Sequence, residues 1–393
     1  MIRPVLVLVH RWVGLVIAGF LLLAGLTGSL LAWYDELEVA ISPQLFRVSL
    51  PGEGVPMLDP VLLREQFLAR HPGAVMPYLP LHAVPGQSLQ FFVEAQTDTA
   101  DDQFFVDPYT GGVLGSRKWG DVSQGFSNLM PFIYRLHQQL ALGVVGTYAF
   151  GVIALMWTLD CFIGAYLTFP ARARQGVARA GKSWWTRWRP SWRVRWTGGA
   201  YKLNFDLHRA GGLWVWAMLF VLAWSSVAFN LTEVYNPVMR AMFAHQPDEK
   251  SASRLASPRQ APALDWPQAR ERGRELMAEQ AQRLGFVVHH EDSLLYLATH
   301  GLYRYDVHSS LDLRERGGYT QVYFDGDTGA LRATWLPTGG AAGDTVRTWL
   351  TSLHMALVWG LPMKLFMSAM GLAVAMLVVT GVVIWWRKRR ARG

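Results

Sequence analysis

Four long apolar segments constrain this 393-residue chain more than any other feature of its sequence. They run from about Trp12 to Trp33, Leu140 to Phe169, Leu213 to Leu231 and Leu361 to Trp386. A helix needs roughly 20 mostly apolar residues to cross a bilayer, and each segment is about that long. Because hydrophobic residues make up 51% of the chain and charged residues only 17%, the composition also argues against a purely soluble protein. We therefore predict a membrane protein with four transmembrane helices.

The first segment follows Arg3 and has a leucine-rich core, a pattern that a secretory signal peptide shares. We interpret it as an uncleaved anchor, because it is longer than the roughly 7–15 apolar residues of a signal peptide. No small-x-small cleavage site follows it before Trp33 and Tyr34.

Basic residues predict the orientation of the helices, since Lys and Arg near helix ends stay on the cytoplasmic side. Residues 170–204 contain nine Lys or Arg and no acid, and the tail 387–393 contains five more. We expect these two segments and the N-terminus to be cytoplasmic. The net charge of +8 is then mainly an orientation signal and does not indicate a nucleic-acid partner.

The loop between the second and third segments alternates tryptophan with basic residues, as in KSWWTRWRPSWRVRW at 182–196. Both residue types favour the membrane interface. We predict that this loop lies on anionic membrane lipid, with an RNA-binding patch as the alternative. Cys161, the one cysteine, lies inside the second apolar segment, so the sequence offers neither a disulfide nor a CxxCH haem attachment.

The chain contains an internal repeat. Three motifs occur twice in the same order: HRWVGL (10–15) and HRAGGL (208–213), FFVDPYTGGVL (104–114) and VYFDGDTGALR (322–332), and LHQQLALG (136–143) and LHMALVWG (353–360). The D-x-x-T-G motifs predict a strand, a tight turn and a second strand. Short amphipathic helices are expected upstream, near 60–70 and 267–284.

Both halves start on the same side of the membrane, so they form parallel repeats related by an axis along the membrane normal. This symmetry places His10 and His208 at one depth near the inner face, and we name them the inner pair. It places His137 and His354 at one depth near the outer face, and we name them the outer pair. On this interpretation each of the four helices begins with a histidine.

Imidazole is a common iron ligand between helices, and two histidines on facing helices can bind one haem from both sides. We therefore predict two haems, one at each pair; a single histidine at a helix end could instead only cap or hydrogen-bond there. Gly14 and Gly212 follow the inner histidines by four residues, on the same helix face. They would admit the plane of a haem ring or simply allow close helix packing.

Arg11 and Arg209 follow the inner histidines directly. Their guanidinium groups would bind haem propionates or serve only the orientation signal. Asp160, an acid inside an apolar segment, would either pair with a basic residue of the loop or take up a proton beside a quinol site. A helix from His10 to Trp33 is roughly 35 Å long, so two haems near opposite faces would carry electrons across the membrane.

As an ordered set, these motifs resemble the bacterial inner-membrane proteins with PepSY-associated transmembrane helices. The resemblance rests on HRWVGL with the following LTGSLLAW, the VDPYTGGVL and FDGDTGALR turns, LH before the even helices, and the terminal TGVVIWWRKR. It covers nearly the whole chain and implies a ferric-siderophore reductase that carries b-type haem and releases iron in the periplasm. It marks His10, His137, His208 and His354 as haem-ligand candidates. The second helix ends in FIGAYLTFPARAR, a weaker match to the end of the fourth.

Together these inferences predict an α+β membrane protein, with four transmembrane helices as two parallel repeats and two periplasmic PepSY-like α+β domains. The predicted boundaries are helices at 9–33, 137–169, 205–231 and 353–386, periplasmic domains at 34–136 and 232–352, and cytoplasmic segments at 170–204 and 387–393. The expected activity is reduction of ferric siderophores to release Fe(II), with haem b as cofactor. No G-x-G-x-x-G follows a predicted strand, so the electron donor is expected to be a membrane quinol or a cytoplasmic reductase.

Three other functions are compatible with parts of the pattern. A membrane-anchored PepSY binding or regulatory protein without haem would leave the four matched histidines unexplained. A cytochrome b that serves another periplasmic acceptor would keep the haems and change only the substrate. A siderophore permease is disfavoured, because four helices are few for alternating access and Asp160 is the only acid within them.

Overall fold

The computed structural model describes residues 2–52, 55–94, 100–170, 183–247 and 254–391. In chain order its helices are α1 (Ile2–Leu31), α2 (Tyr34–Ile41), α3 (Pro43–Phe46), α4 (Pro60–Arg70), α5 (Leu129–Gln139), α6 (Gly143–Thr168), α7 (Trp184–Trp188), α8 (Ala200–Trp214), α9 (Trp216–Asn230), α10 (Thr232–Met242), α11 (Trp266–Leu284), α12 (Ala342–His354) and α13 (Gly360–Arg390). Its strands are β1 (Tyr78–Pro80), β2 (Leu89–Phe92), β3 (Gln103–Val106), β4 (Val113–Arg117), β5 (Val288–Leu297), β6 (Leu302–Ser309), β7 (Thr320–Asp325) and β8 (Leu331–Trp335). The long helices form a bundle, and the strands form a β-rich region.

The helices α1, α6 and α13 are each long and apolar enough to cross a membrane. The third predicted span, 205–231, is not one continuous helix. It is divided at Val215 into α8 and α9, and the angle between the two helices is 70°. Only the two helices together are long and apolar enough to cross a membrane. The break follows Gly211 and Gly212, and glycine is a weak helix former that commonly accompanies kinks. Within the described ranges this membrane protein thus has three candidate spans, or four if the bent pair counts as one.

The second and fourth spans also begin later than predicted. His137 lies near the end of α5 and His354 is the last residue of α12, so neither histidine opens a spanning helix. In the first half, Leu140 and Ala141 follow the histidine in left-handed backbone, with φ of 54° and 55°. In the second half, Ala356 and Trp359 do the same, with φ of 54° and 58°. These matched breaks end one helix and redirect the chain into α6 or α13.

Both predicted hairpins are present in the β-rich region, as β3 with β4 and β7 with β8. Asp107 and Asp325 begin the two turns and accept backbone N–H groups two residues ahead. Gly111 and Gly329 close them with φ of 68° each. Positive φ is favourable for glycine, which accounts for the T-G step in both motifs. The predicted amphipathic helices are present as α4 and α11.

The two outer segments are joined rather than separate. Strand β1, from the first half, pairs antiparallel with β5 of the second half and completes a five-stranded sheet in the order β1-β5-β6-β7-β8. The remaining strands form a three-stranded sheet, β2-β3-β4. One hydrophobic core contains Leu63, Phe67 and Phe91 of the first half together with Leu276 and Phe324 of the second. The fold is therefore mixed α+β with two antiparallel sheets that share a core.

Helices α1 and α13 approach each other closely through small residues. A Cβ atom at Gly25 would lie only 2.7 Å from the carbonyl oxygen of Gly371. Nearby, the hydroxyl of Ser29 donates to the carbonyl of Ser368 at 3.0 Å, and the indole of Trp33 donates to the hydroxyl of Ser368 at 2.9 Å. Such contacts between small and polar residues are a usual way to hold helices together in lipid. These contacts hold α1 and α13 together, and residues of both helices line the outer cavity described below.

Candidate functional site

The structure brings the four histidines together in the two predicted pairs. The ring centres of His10 and His208 lie 6.1 Å apart, with an angle of 54° between the planes. Those of His137 and His354 lie 6.2 Å apart, at 73°. Each pair joins one residue from each half of the chain, and the members of a pair lie on different helices.

Hydrogen bonds fix the inner pair through the Nδ1 atoms. Nδ1 of His10 lies 2.9 Å from Oδ1 of Asp160 on α6, and Nδ1 of His208 lies 3.0 Å from the carbonyl oxygen of Leu377 on α13. The hydroxyl of Thr380 lies 3.2 Å from the same nitrogen. A carbonyl or an ionised carboxylate can only accept, so Nδ1 carries the proton in both rings. The Nε2 lone pair of each ring is then free to bind a metal.

The outer pair is held in the same way by hydroxyl groups. Nδ1 of His137 lies 2.9 Å from the hydroxyl of Thr27, which donates its own proton to Leu23. Nδ1 of His354 lies 2.6 Å from the hydroxyl of Ser225, whose proton goes to a backbone carbonyl one turn earlier. Each hydroxyl therefore accepts from the imidazole, and the Nε2 lone pair is again available. Among the described residues no hydrogen bond reaches Nε2 of any of the four rings.

The spacing of both pairs matches two imidazoles that share one metal ion. A metal–imidazole bond is about 2.0–2.1 Å, and a ring with bonds of about 1.33 Å has a radius of about 1.1 Å, so two rings bound from opposite sides have centres about 6.3 Å apart. The described part of the chain contains no group of three or more His, Cys, Asp or Glu side chains arranged for a metal ion. Two imidazoles therefore suit a metal that brings its other ligands with it.

The inner pair lines a cavity of about 480 Å³, which we call the inner cavity. Gly14 and Gly212 belong to its lining, and a Cβ atom at Gly14 would meet nothing within 4 Å. Cε1 of His10 packs on Gly164, and Cε1 of His208 packs on Gly381, where an added Cβ would lie 3.4 Å and 3.0 Å away. Glycines thus leave room both beside the imidazoles and in the open part of the cavity.

Four basic side chains also line the inner cavity, namely those of Arg3, Arg11, Arg209 and Lys388. Arg209 donates to Oδ1 of Asp206 at 2.8 Å, and the fully buried Asp206 side chain also accepts from Arg195. Arg11 has no hydrogen bond or ion pair within the described ranges. The predicted site arginines therefore both reach the cavity, but Arg209 already has a carboxylate partner.

The outer pair lines a cavity of about 650 Å³, the outer cavity. Its membrane part is apolar, and its rim has aromatic and charged side chains: Trp33, Tyr34, Asp35, Glu36, Trp119, Tyr134, Glu315, Arg316 and Lys364. Burial raises the pKa of Tyr34 and of Tyr134, so both phenols remain protonated donors near neutral pH. Two ion pairs close part of the rim, Arg316 with Asp35 at 2.8 Å and Lys364 with Glu36 at 2.5 Å.

A thin wall separates the two cavities. Leu21, Trp157 and Val374 line both of them and come from α1, α6 and α13. All three belong to, or pack against, one hydrophobic cluster of the bundle. The two histidine pairs are therefore in adjoining compartments rather than in unrelated parts of the fold.

The sequence model of one protein family, described as the PepSY-associated TM region, matches residues 7–388. The chain belongs to this family. The match includes both histidine pairs and both hairpins, and it covers the candidate spans except for the first residues of α1 and the last two of α13. No curated protein matches the chain.

The sequence pattern was not used to predict the residues that hydrogen-bond to the four histidines of this family member. Thr27 and Ser225 each follow the inner histidine of their half by seventeen residues, so the repeat itself contained the signal. Asp160 was expected to pair with a basic residue of the loop or to take up a proton beside a quinol site. In the structure it binds His10, and the role beside a quinol site stays a prediction. Residues 171–182 of that loop lie outside the described residues, and Arg195 pairs with Asp206 instead.

Proposed function

We propose that this member of the PepSY-associated TM region family is a dihaem b reductase of the bacterial inner membrane. In this proposal electrons cross the membrane from a cytoplasmic-side donor, and ferric siderophores are reduced in the periplasm with release of Fe(II). The proposal rests on the arrangement of the two histidine pairs, which lie in adjoining cavities near opposite ends of the bundle. In each pair the two rings are as far apart as two imidazoles that bind one metal ion from opposite sides.

The residues present fit haem at both sites. All four Nδ1 atoms are held by hydrogen bonds, which orients the rings and leaves Nε2 as the ligand atom. Pockets for cofactors typically measure about 300–1,000 Å³ and are mostly apolar, as these two are. Haem iron, when bound, supplies a centre that accepts and releases one electron without a protein nucleophile or acid. His10 and His208 would hold the inner haem, and His137 and His354 the outer one.

The basic residues of the inner cavity suit the propionates of an inner haem. Arg11 is the best placed, because the described residues give it no other anionic partner. Arg209 could contribute through the part of its guanidinium that Asp206 does not occupy. At the other end, the rim of the outer cavity offers Trp and Tyr faces together with Arg316 and Lys364, a surface on which an oxygen-rich iron complex could rest.

The chemistry balances with a membrane quinol as donor. Oxidation of one quinol supplies two electrons and releases two protons, so it reduces two ferric ions to ferrous ions. Siderophores hold Fe(III) through hard oxygen ligands and hold Fe(II) far less tightly, so one electron per iron is enough to loosen it. A cytoplasmic reductase would supply the same electrons through the inner side.

An anaerobic mixing experiment tests the activity. The purified, haem-loaded protein is reduced, freed of excess reductant and mixed with a ferric trihydroxamate siderophore in the presence of a chromogenic Fe(II) chelator. We expect the absorbance of reduced haem to decay while one Fe(II) appears for each electron lost. Reduced haem that persists beside the ferric complex would contradict the reductase and favour a cytochrome b with another acceptor. A protein that never binds haem would favour the binding or regulatory function.

A further inference from the structure

The partners of the four Nδ1 atoms are not equivalent, because only one of the five is a carboxyl group. Thr27, Ser225 and Thr380 offer hydroxyls and Leu377 a carbonyl, whereas His10 binds the carboxylate of Asp160. The Asp160 side chain is 9% exposed and lies inside α6. An ionisable group at such a place is costly and calls for a functional explanation.

A carboxylate partner changes the imidazole more than a hydroxyl does. It draws on the Nδ1 proton and makes Nε2 a stronger electron donor to a bound metal. A stronger donor stabilises the more oxidised state of iron and so lowers its midpoint potential. The outer pair, with neutral partners only, has no equivalent of this effect.

The surroundings of the inner cavity act in the opposite direction. Arg3, Arg11, Arg209 and Lys388 all line it, and positive charge favours the reduced state of a nearby metal. Arg209 is already opposed by the buried Asp206, but the other three have no anionic partner among the described residues. Taken alone, these cations would raise the midpoint potential of a haem at the inner site and so favour an electron remaining there.

We propose that Asp160 is a positioning residue that lowers the midpoint potential of the inner haem through His10. This inference rests on the proposed function. A lower potential at the inner haem sets the direction of electron transfer. Asp160 offsets the inner cations and so keeps transfer from the inner to the outer site favourable. The repeat explains why this is a property of one half only: when Gly143 is aligned with Gly360, Asp160 aligns with Leu377, which offers His208 only its backbone carbonyl.

Spectroelectrochemical titration of both haems tests this role without an activity assay. Asp160→Asn keeps the shape and removes the charge, Asp160→Glu keeps the charge, and Thr27→Val is the matched change at the outer pair. We expect Asp160→Asn to raise the inner potential so that the distribution of an electron between the haems shifts about tenfold toward the inner one, equivalent to about 59 mV for one electron. Asp160→Glu should retain the order of potentials, and Thr27→Val should affect only the outer haem.

Each outcome decides the inference. If Asp160→Asn loses the inner haem and Asp160→Glu keeps it, the potentials of Asp160→Glu decide: an inner potential that stays below the outer one would support the inference, and an inverted order would overturn it. An unchanged inner potential in haem-loaded Asp160→Asn would overturn it and leave the reductase proposal standing. Loss of the inner haem in both variants would also overturn it, since shape rather than charge would matter. A wild-type chain without haem would instead refute the proposed function and this inference with it.

Discussion

At the scale of single residues, the proposed function depends on the imidazoles of four histidines. Their hydrogen bonds all involve Nδ1: Asp160 and Leu377 offer oxygen acceptors, and the hydroxyls of Thr27 and Ser225 donate their protons to backbone carbonyls. In the neutral imidazoles the Nε2 lone pairs are then free, as the proposed haem ligation requires. Such preorganisation lowers the cost of ordering ligands when a cofactor enters.

Alanine variants of the histidines test the assignment pair by pair. His10→Ala or His208→Ala should reduce the haem content from about two to about one per chain and remove the inner haem only, because an axial ligand is lost. His137→Ala or His354→Ala should remove the outer haem only. His82→Ala, at an exposed histidine outside both cavities, is the control and should keep both haems. Retention of two haems in all four site variants would refute the assignment.

A charged network in the β-rich region predicts how stability depends on pH. Glu291 accepts hydrogen bonds from Arg270, Arg274 and Tyr305, and Arg270 also pairs with Asp59 of the first half. Burial alone would raise the pKa of Glu291, but these donors outweigh it and lower the pKa to about 2. A lowered folded-state pKa gives stability that is present above the unfolded pKa near 4.5 and is lost as the pH falls toward 2.

Glu291→Gln should therefore lower the free energy of unfolding at pH 7 by up to about 3 kcal/mol. The difference from the wild type should shrink by about half at pH 3, where part of the wild-type gain is already lost. Thermal unfolding in detergent at both pH values measures it. Glu279→Gln, on the exposed face of α11, is the control and should change little. A deficit of equal size at both pH values would show that the charge of Glu291 is not its cause.

At the scale of helices and strands, the sequence pattern predicted those elements whose formation depends on local sequence. The apolar segments, the amphipathic α4 and α11, and both D-x-x-T-G hairpins followed from composition and spacing. The breaks after His137 and His354 did not, because Leu140 and Ala141 adopt a left-handed backbone that sequence usually assigns to glycine. The pairing of β1 with β5 also escaped prediction, since a three-residue strand carries almost no pattern and its partner lies some two hundred residues away.

The crossing of α1 and α13 gives a test of the bundle. Gly25→Ala places a Cβ against the backbone of Gly371, so the helices must separate, and we expect a loss of about 1–3 kcal/mol. Because both glycines line the outer cavity, the outer haem should be lost more readily on heating than the inner one. Gly19→Ala on the same helix is the matched control, since its Cβ would meet nothing within 4 Å. Equal stability of the two variants in a thermal melt would contradict the packing argument.

At the scale of the whole molecule, charge asymmetry orients the proposed electron path. The inner cavity has four basic side chains, and the adjoining loop and tail are strongly basic. The outer cavity has a rim in which acids and bases are paired. From the positive-inside rule we expect the inner pair to face the cytoplasm and the outer pair to face the periplasm.

Cysteine labelling in intact cells checks this orientation. Ser310→Cys, exposed in the β-rich region, should react with a membrane-impermeant maleimide added outside the inner membrane. Thr197→Cys, exposed near α8, should react only after the membrane is permeabilised. The native Cys161 is buried and should add little background. The reverse labelling pattern would invert the topology and the direction of electron flow.

A count of haem per chain tests whether each of the two histidine pairs holds a haem. The protein is expressed with an adequate supply of haem, purified in detergent and measured as the pyridine haemochrome against total protein. We expect about two b-type haems per chain. A chain that carries none under these conditions would refute haem binding at the histidine pairs and would favour a haem-free binding or regulatory protein.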